Sequence, residues 1–212
     1  MNLTYGSETP GTPAVPVYQL QSHNVKELLD NALRVLPLSH PYYNTQQQAK
    51  AEINALWELR KRMPVDLLIS ESFRLIDKYF FFSNIGPHIQ LVIHHGSFPW
   101  DFYRHSERKI FICTREEPNL PRGPEDMVAS VVHEAVHAYL ILFATPASLK
   151  AEDLGQNPHA LPFRVLYQTL TNMICRWVPD PTGFTVICDL DGDEIEAESH
   201  HLSSYPGTDI AG

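Results

Sequence analysis

The segment GPEDMVASVVHEAVHAYLILFA, at residues 123–144, constrains the fold more than any other part of this chain of 212 residues. Pro124 lies near its start, and two acidic residues follow in the first turn, where the positive end of a helix dipole favours negative charge. Its flanks, MVASVV and AYLILFA, consist mainly of residues that are usually found in protein interiors. We therefore predict a buried helix over this segment.

Two histidines and a glutamate interrupt the apolar run of this helix. His133 and His137 are four residues apart, which turns an α-helix by about 400°, so both imidazoles project from one face. Two such imidazoles can bind one zinc ion, which in hydrolytic sites takes three protein ligands and leaves the fourth position to water. Glu134, beside the first histidine, can accept a proton from that water and deliver it to a leaving amine.

A simpler interpretation is that two helix histidines lie beside an unrelated acid. The chain has 11 histidines, and a chance HExxH is expected on the order of a few times per hundred such chains. Burial favours the metal site, because two histidines and a glutamate inside an apolar helix are costly without a metal or a charge partner. We therefore expect zinc, with His133 and His137 as ligands and Glu134 as general base.

The third zinc ligand has two candidates downstream, Glu152 and His159. The sequence AYLILF after His137 lacks the glycine and the histidine of the extended metzincin motif, so that class is excluded. Glu152 lies among other charged residues in a predicted loop, where a solvated acid is ordinary. His159 stands between Pro158 and a predicted helix, and a rigid turn there can direct its ring at the first helix. We assign the third ligand to His159.

The rest of the chain predicts an α+β fold with a helical N-terminal part and a small sheet. Apolar residues at three- and four-residue spacing indicate helices, with Asn24 and Asn44 as N-caps of the first two. The predicted helices are NVKELLDNALRVL (24–36), NTQQQAKAEINALWELRKRM (44–63), VDLLISESFRLIDKYFFF (65–82), the HExxH helix and LPFRVLYQTLTNMICRWV (161–178). The predicted strands are HIQLVIHHG (88–96), RKIFICTRE (108–116) and GFTVICDL (183–190), and residues 145–158 are predicted to be a loop.

Length and composition predict a single packed domain and a location inside the cell. We expect a mobile proline-rich arm at residues 1–16, one domain at 17–199 and a tail at 200–212. We find neither a signal peptide nor an apolar run of about 20 residues, so we expect a cytoplasmic or nuclear protein without a membrane span. The three cysteines are far apart and predict buried thiols rather than disulfides or a cysteine zinc site.

The charge balance argues against strong binding to nucleic acids. The net charge of −9 opposes the counterion displacement on which nonspecific affinity for phosphate depends. The basic stretch ELRKRM at residues 58–63 is the one local candidate, and the solvated end of a helix is the interpretation that we favour for it. The oligomeric state is not predictable from these features.

The residues around the HExxH helix resemble the SprT-like domain, the zincin metalloprotease domain of Spartan-type proteases. The resemblance covers about residues 70–175 and consists of a strand in RKIFICTR, the helix with VVHEAVHAYL, a loop, and a histidine four residues before Phe163. It implies a zincin-like fold, a zinc metallopeptidase activity and a third histidine ligand at His159. The chain departs from the family in having Asn157-Pro158 and Ala160 where glycines flank that histidine, and in lacking the cysteine-rich zinc ribbon.

We therefore expect a zinc-dependent hydrolase that cleaves a peptide or a related amide. The alternatives are an enzyme that uses the same site on a small molecule in a biosynthetic pathway, and a non-catalytic protein with a structural zinc. Tyr139, two residues after His137, should point away from the metal into the core. Candidates for polarising a substrate carbonyl are Tyr103, Tyr167 and Arg164; candidates for a substrate wall or cleft are Trp100, Tyr103, Trp177, His94 and His95.

Overall fold

The computed structural model describes residues 18–33, 43–96, 101–117 and 120–181, and it has the mixed α and β architecture that the sequence predicts. The helices within these residues are α1 (Val25–Leu33), α2 (Tyr43–Leu59), α3 (Val65–Phe80), α4 (Pro124–Phe143), α5 (Pro146–Ala151) and α6 (Leu161–Trp177). The strands are β1 (Gln90–His94), β2 (Phe102–Arg104), β3 (Lys109–Cys113), β4 (Arg115–Glu117) and β5 (Leu120–Pro121). The arm at 1–16, the strand predicted at 183–190, the tail and the domain limits at 17 and 199 lie outside the described residues.

The larger sheet has three strands in the order β1-β3-β2. Strand β1 pairs with β3 in parallel, and β2 pairs with the other side of β3 in the antiparallel direction. Ile110 and Ile112 of the central strand are fully buried, which places one face of β3 in the core. Strands β4 and β5 form a separate two-stranded ribbon.

Helix α4 lies at the centre of the domain. It contacts α3, α6, β2 and β3, and most of its side chains are buried. It is also the one helix among the described residues that is long and apolar enough to cross a membrane, with 78% of its most apolar window buried inside the protein. Our expectation that no segment reaches that length and apolar content was therefore wrong for α4. The same composition suits a helix that is packed on all sides.

The segment that precedes α1 closes the C-terminal end of α4. The backbone N–H groups of Gln21 and Ser22 donate to the carbonyls of Leu142 and Phe143, at 2.9 and 3.1 Å. The last carbonyls of a helix have no partner within the helix, so these bonds satisfy groups that would otherwise be buried without one. The central helix is thereby joined to the N-terminal part of the chain.

The sequence predicted α1 to α4, α6 and the strands β1 and β3, and it missed several of the shortest elements. Asn24 caps α1 as predicted, by accepting a hydrogen bond of 2.7 Å from the backbone of Glu27. The N-cap prediction for Asn44 was wrong, because α2 begins at Tyr43. The predicted loop at 145–158 contains α5, whose first turn is capped by the hydroxyl of Thr145. Strands β2 and β5 were also missed, since each has three residues or fewer.

Two smaller predictions also had mixed outcomes. Arg60, in the basic stretch, is not solvated: its guanidinium lies over the Trp57 ring and pairs with Glu125 at 2.7 Å. Lys61, the next residue, is exposed as predicted. Cys113 is buried and Cys175 is half-buried, and neither is in a disulfide. Cys188 lies outside the described residues.

Candidate metal centre

The side chains of His133, His137 and His159 meet at one point in the structure. Their Nε2 atoms form a nearly equilateral triangle, with distances of 3.1 Å from His133 to His137, 3.0 Å from His137 to His159 and 3.1 Å from His159 to His133. The group is suitable in position and chemistry for holding a metal ion. The structure thus brings together the three histidines that the sequence singled out.

Two different local structures present these rings. His133 and His137 project from one face of α4, one turn apart, as the helical repeat requires. His159 comes from the turn before α6, where Ala160 is the N-cap residue and a proline occupies the first turn. The third ring therefore reaches α4 from a different element, 22 residues after His137.

The spacing of the three nitrogens fits one bound ion better than direct hydrogen bonding. A neutral imidazole nitrogen either donates or accepts, so three nitrogens cannot satisfy all three of their mutual contacts. Two nitrogens on one tetrahedral zinc, with bonds of about 2.0–2.1 Å, lie about 3.3 Å apart. The observed distances of 3.0 to 3.1 Å are close to that separation. The donor set of three imidazoles is also one that zinc favours.

Burial keeps the three rings in the neutral form that can bind a metal. It lowers the pKa of His133 to about 3, with a further contribution from His159, and lowers the pKa of His159 to about 4. The pKa of His137 lies well below its usual value, first because of burial and then because of the two other histidines. A metal ligand must have a free lone pair, so this environment favours metal binding over protonation.

Aromatic rings from α6 support the cluster. Phe163 stacks on His137 with 4.2 Å between ring centroids, and it also contacts His133 and His159 at 4.9 and 4.7 Å. Tyr167, one turn further along α6, places its ring edge against His133 at 5.2 Å. Phe163 therefore packs against all three histidines of the cluster.

Glu134 lies beside the cluster but does not belong to the triangle. It is buried, and its Oε1 atom is 4.0 Å from Nε2 of His133. No further histidine, cysteine, aspartate or glutamate among the described residues joins the three-histidine group. The three-histidine group could thus hold a metal ion, with the Glu134 carboxylate beside it.

Of the other ligand candidate and the candidate polarising residues, only Tyr167 contacts the three-histidine cluster. Glu152 is exposed at the end of α5 and is not part of the metal-binding group. Of the three residues considered for polarising a carbonyl, Tyr167 contacts the cluster and Arg164 is exposed. Tyr103 on β2 instead contacts the Nδ1 atom of His105 at 3.3 Å, and burial raises the pKa of its hydroxyl.

The remaining candidates have structural or surface positions. Tyr139 is fully buried and donates a hydrogen bond of 3.0 Å to the carbonyl of Leu28, as expected for a core residue. Trp177 stacks on Phe80, so it is part of the helix packing. His94 and His95 are exposed, in agreement with the surface role that such strand-end histidines usually have. Trp100 lies outside the described residues.

A partly buried ion pair near the start of α4 was not predicted. Arg122 pairs with Asp101, and its guanidinium also donates to the Ser130 hydroxyl at 2.7 Å and to the Cys113 carbonyl at 3.2 Å. Asp101 in turn accepts a bond of 2.6 Å from the backbone N–H of Cys113. Ser130 lies one turn before Glu134 on the helix, so this network ties the metal-binding face of α4 to the end of β3. A charge pair between distant segments leaves no local pattern in a sequence.

No family model, no curated protein and no solved structure matches this chain.

Proposed function

We propose that this protein is a zinc-dependent hydrolase of the SprT-like, zincin-like class that cleaves a peptide bond. One observation carries the proposal: three histidine Nε2 atoms 3.0 to 3.1 Å apart, with the buried Glu134 carboxylate beside them. The group contains no fourth ligand among the described residues, which favours a catalytic over a structural metal.

In this proposal the residues of the cluster have separate roles. His133, His137 and His159 hold the zinc through their Nε2 atoms. Bound zinc supplies Lewis-acid polarisation and makes a nearby water molecule more acidic. Glu134 accepts the proton of the attacking water at its carboxylate and delivers it to the leaving amine. The buried surroundings strengthen these charge interactions, because little water is present to screen them.

A small-molecule substrate is the second candidate, and it is favoured by the burial of the cluster. His137, His159 and Glu134 are each less than a tenth exposed, and the side chain of His133 is 19% exposed. A buried site in which only the His133 ring is partly exposed suits a compact substrate. A protease should degrade unfolded protein chains, whereas a small-molecule enzyme should leave them intact.

Metal content is the first test of the proposal. We expect one zinc per chain in protein purified without chelators, measured by elemental analysis. Replacing His159 by Ala should weaken zinc affinity strongly, because it removes one of the three ligands. Glu152→Ala, the matched control on an exposed acid, should leave zinc affinity unchanged. Protein that neither contains zinc nor takes it up on dialysis would refute the metal site.

The role of Glu134 gives the second test. Glu134→Gln should keep one zinc per chain and lose nearly all hydrolysis of a fluorescent unfolded protein such as labelled casein, because an amide cannot accept the proton of water. The same pair of proteins should be compared on small amide and peptide substrates. Retained turnover in Glu134→Gln would exclude this carboxylate as the general base.

A further inference from the structure

The third histidine depends on a short turn for its position. His133 and His137 are placed by the backbone of one helix, but His159 lies between α5 and α6, in the sequence Gly155 to Leu161. A helix holds its side chains through repeated hydrogen bonds, whereas a turn needs specific contacts to hold one conformation. The ring of His159 nevertheless lies 3.0 Å from that of His137. Some contact in the turn must therefore supply the order.

Asn157 makes that contact, through its side chain and its backbone. Its Oδ1 atom accepts a hydrogen bond of 3.1 Å from the backbone N–H of His159. Its carbonyl accepts a bond of 3.0 Å from the N–H of Ala160, and its own N–H donates to the carbonyl of Asp153 at 2.8 Å. An asparagine that bonds to the backbone two residues later forms a local turn of defined shape. This asparagine thus joins the end of the α5 region to the start of α6.

Pro158, between Asn157 and His159, makes the hydrogen bond from the His159 N–H to the Asn157 side chain more important. Pro158 has no backbone N–H and so cannot contribute a donor to the turn, although its ring restricts the backbone angle φ. The bond from the His159 N–H to Asn157 Oδ1 directly restrains the backbone of the third histidine. Phe163 then limits the ring from the other side, at 4.7 Å between centroids.

We propose that Asn157 is a positioning residue for the third metal ligand, acting through the backbone of His159. This inference rests on the proposed metal site. Groups that orient a ligand without touching the metal typically change metal affinity by about 10- to 100-fold when they are removed. Asn157→Ala should therefore weaken zinc affinity by about that factor, measured by competition with a chelator of known affinity.

Three comparison variants separate positioning from a general loss of structure. Asn157→Asp keeps an oxygen acceptor at the same position, so its zinc affinity should stay within about threefold of the unchanged protein. Gln156→Ala, at the exposed neighbouring residue, should have no effect. If Asn157→Ala does not fold, Asn157→Ser replaces it and should show an intermediate loss, because a hydroxyl makes the same turn bond more weakly.

The decisive measurement combines Asn157→Ala with His159→Ala. If Asn157 acts through His159, Asn157→Ala should have no further effect on zinc affinity once His159 is replaced. Visible absorption of the Co²⁺-loaded protein should change with Asn157→Ala and return with Asn157→Asp. An equal loss of affinity with and without His159, or no loss at all, would overturn this inference alone. Failure of the unchanged protein to bind Zn²⁺ or Co²⁺ would overturn the proposed function as well.

Discussion

The protonation state of three histidine rings decides whether the cluster can bind a metal. A ring nitrogen binds a metal only when it carries no proton, so the neutral ring is required. Burial lowers the pKa of His133 to about 3 and that of His159 to about 4. The fold therefore keeps these rings neutral throughout the range in which an isolated histidine, with a pKa near 6.5, becomes charged.

At the same scale, the metal-free protein should lose stability on mild acidification. Between about pH 6.5 and pH 4.5 the unfolded chain protonates histidines that the folded chain keeps neutral. The free energy of unfolding should therefore fall by about 1.4 kcal/mol per pH unit for each such histidine. This contribution is complete above pH 6.5 and is lost as the pH falls towards the folded pKa values of about 3 to 4.

Urea unfolding of chelator-treated protein at pH 7.5, 6.0 and 5.0 would measure this loss. His159→Gln removes one of the titrating groups, so its unfolding free energy should fall less steeply with acidification. Identical slopes for the two proteins would show that His159 is not held neutral by the fold.

Among the secondary-structure elements, α4 is held at both ends by hydrogen bonds to residues outside the helix. Its C-terminal carbonyls accept bonds from residues 21–23, and its N-terminal half is bonded to Arg122 through the Ser130 hydroxyl. Arg122 and Asp101 have side chains that are 16% and 11% exposed, so their pair is largely desolvated. A desolvated pair is costly to break, because the remaining charge has no partner. The position of α4 relative to the sheet depends on these bonds of Arg122.

Breaking the Arg122–Asp101 pair should therefore destabilise the protein strongly. We expect Arg122→Met to lower the free energy of unfolding by about 1–3 kcal/mol, because it leaves the partly buried carboxylate of Asp101 without its charge partner. Adding Asp101→Asn should restore a large part of the loss, since asparagine is uncharged and still accepts the bond from Cys113. Both variants are compared by chemical denaturation. A double variant that is less stable than Arg122→Met would contradict this view of the network.

For the molecule as a whole, the charge opposes binding to nucleic acids. The net charge is −9, and Arg60, in the single basic stretch, pairs with Glu125. Counterion release from phosphate requires free cationic groups on the protein surface, and nonspecific affinity for DNA rises with their number. Association with DNA should therefore not select the substrates of the proposed hydrolase.

We accordingly expect weak DNA binding with little sequence preference. Fluorescence anisotropy with single- and double-stranded oligonucleotides should show no saturation at micromolar protein and about 0.15 M salt. Tight binding that weakens steeply as salt is added would contradict this expectation and would favour a substrate class associated with DNA.

The helices that the sequence predicted most clearly are the long ones. Helices α3, α4 and α6 have 16 to 20 residues, so apolar side chains recur often enough to identify a helical face. Strand β2 has three residues and α5 has six, which is too few for any period to be visible. Strand β2 forms because β3 offers it hydrogen-bonding groups, and α5 is bonded to α1 through the Ser148 hydroxyl. Such partners are not encoded locally.

The sequence by itself determined the pair of histidines on α4 and the glutamate between them. Their relative positions follow from the helical repeat, which acts over four residues and needs no other part of the chain. Only the tertiary structure decided that His159 completes the triangle, that Glu152 stays in solvent, and that Tyr167 contacts the site. Each of these outcomes depends on how α6 and the turn before it pack against α4. Packing of that kind depends on many weak contacts between distant segments. No local pattern in the sequence predicts it.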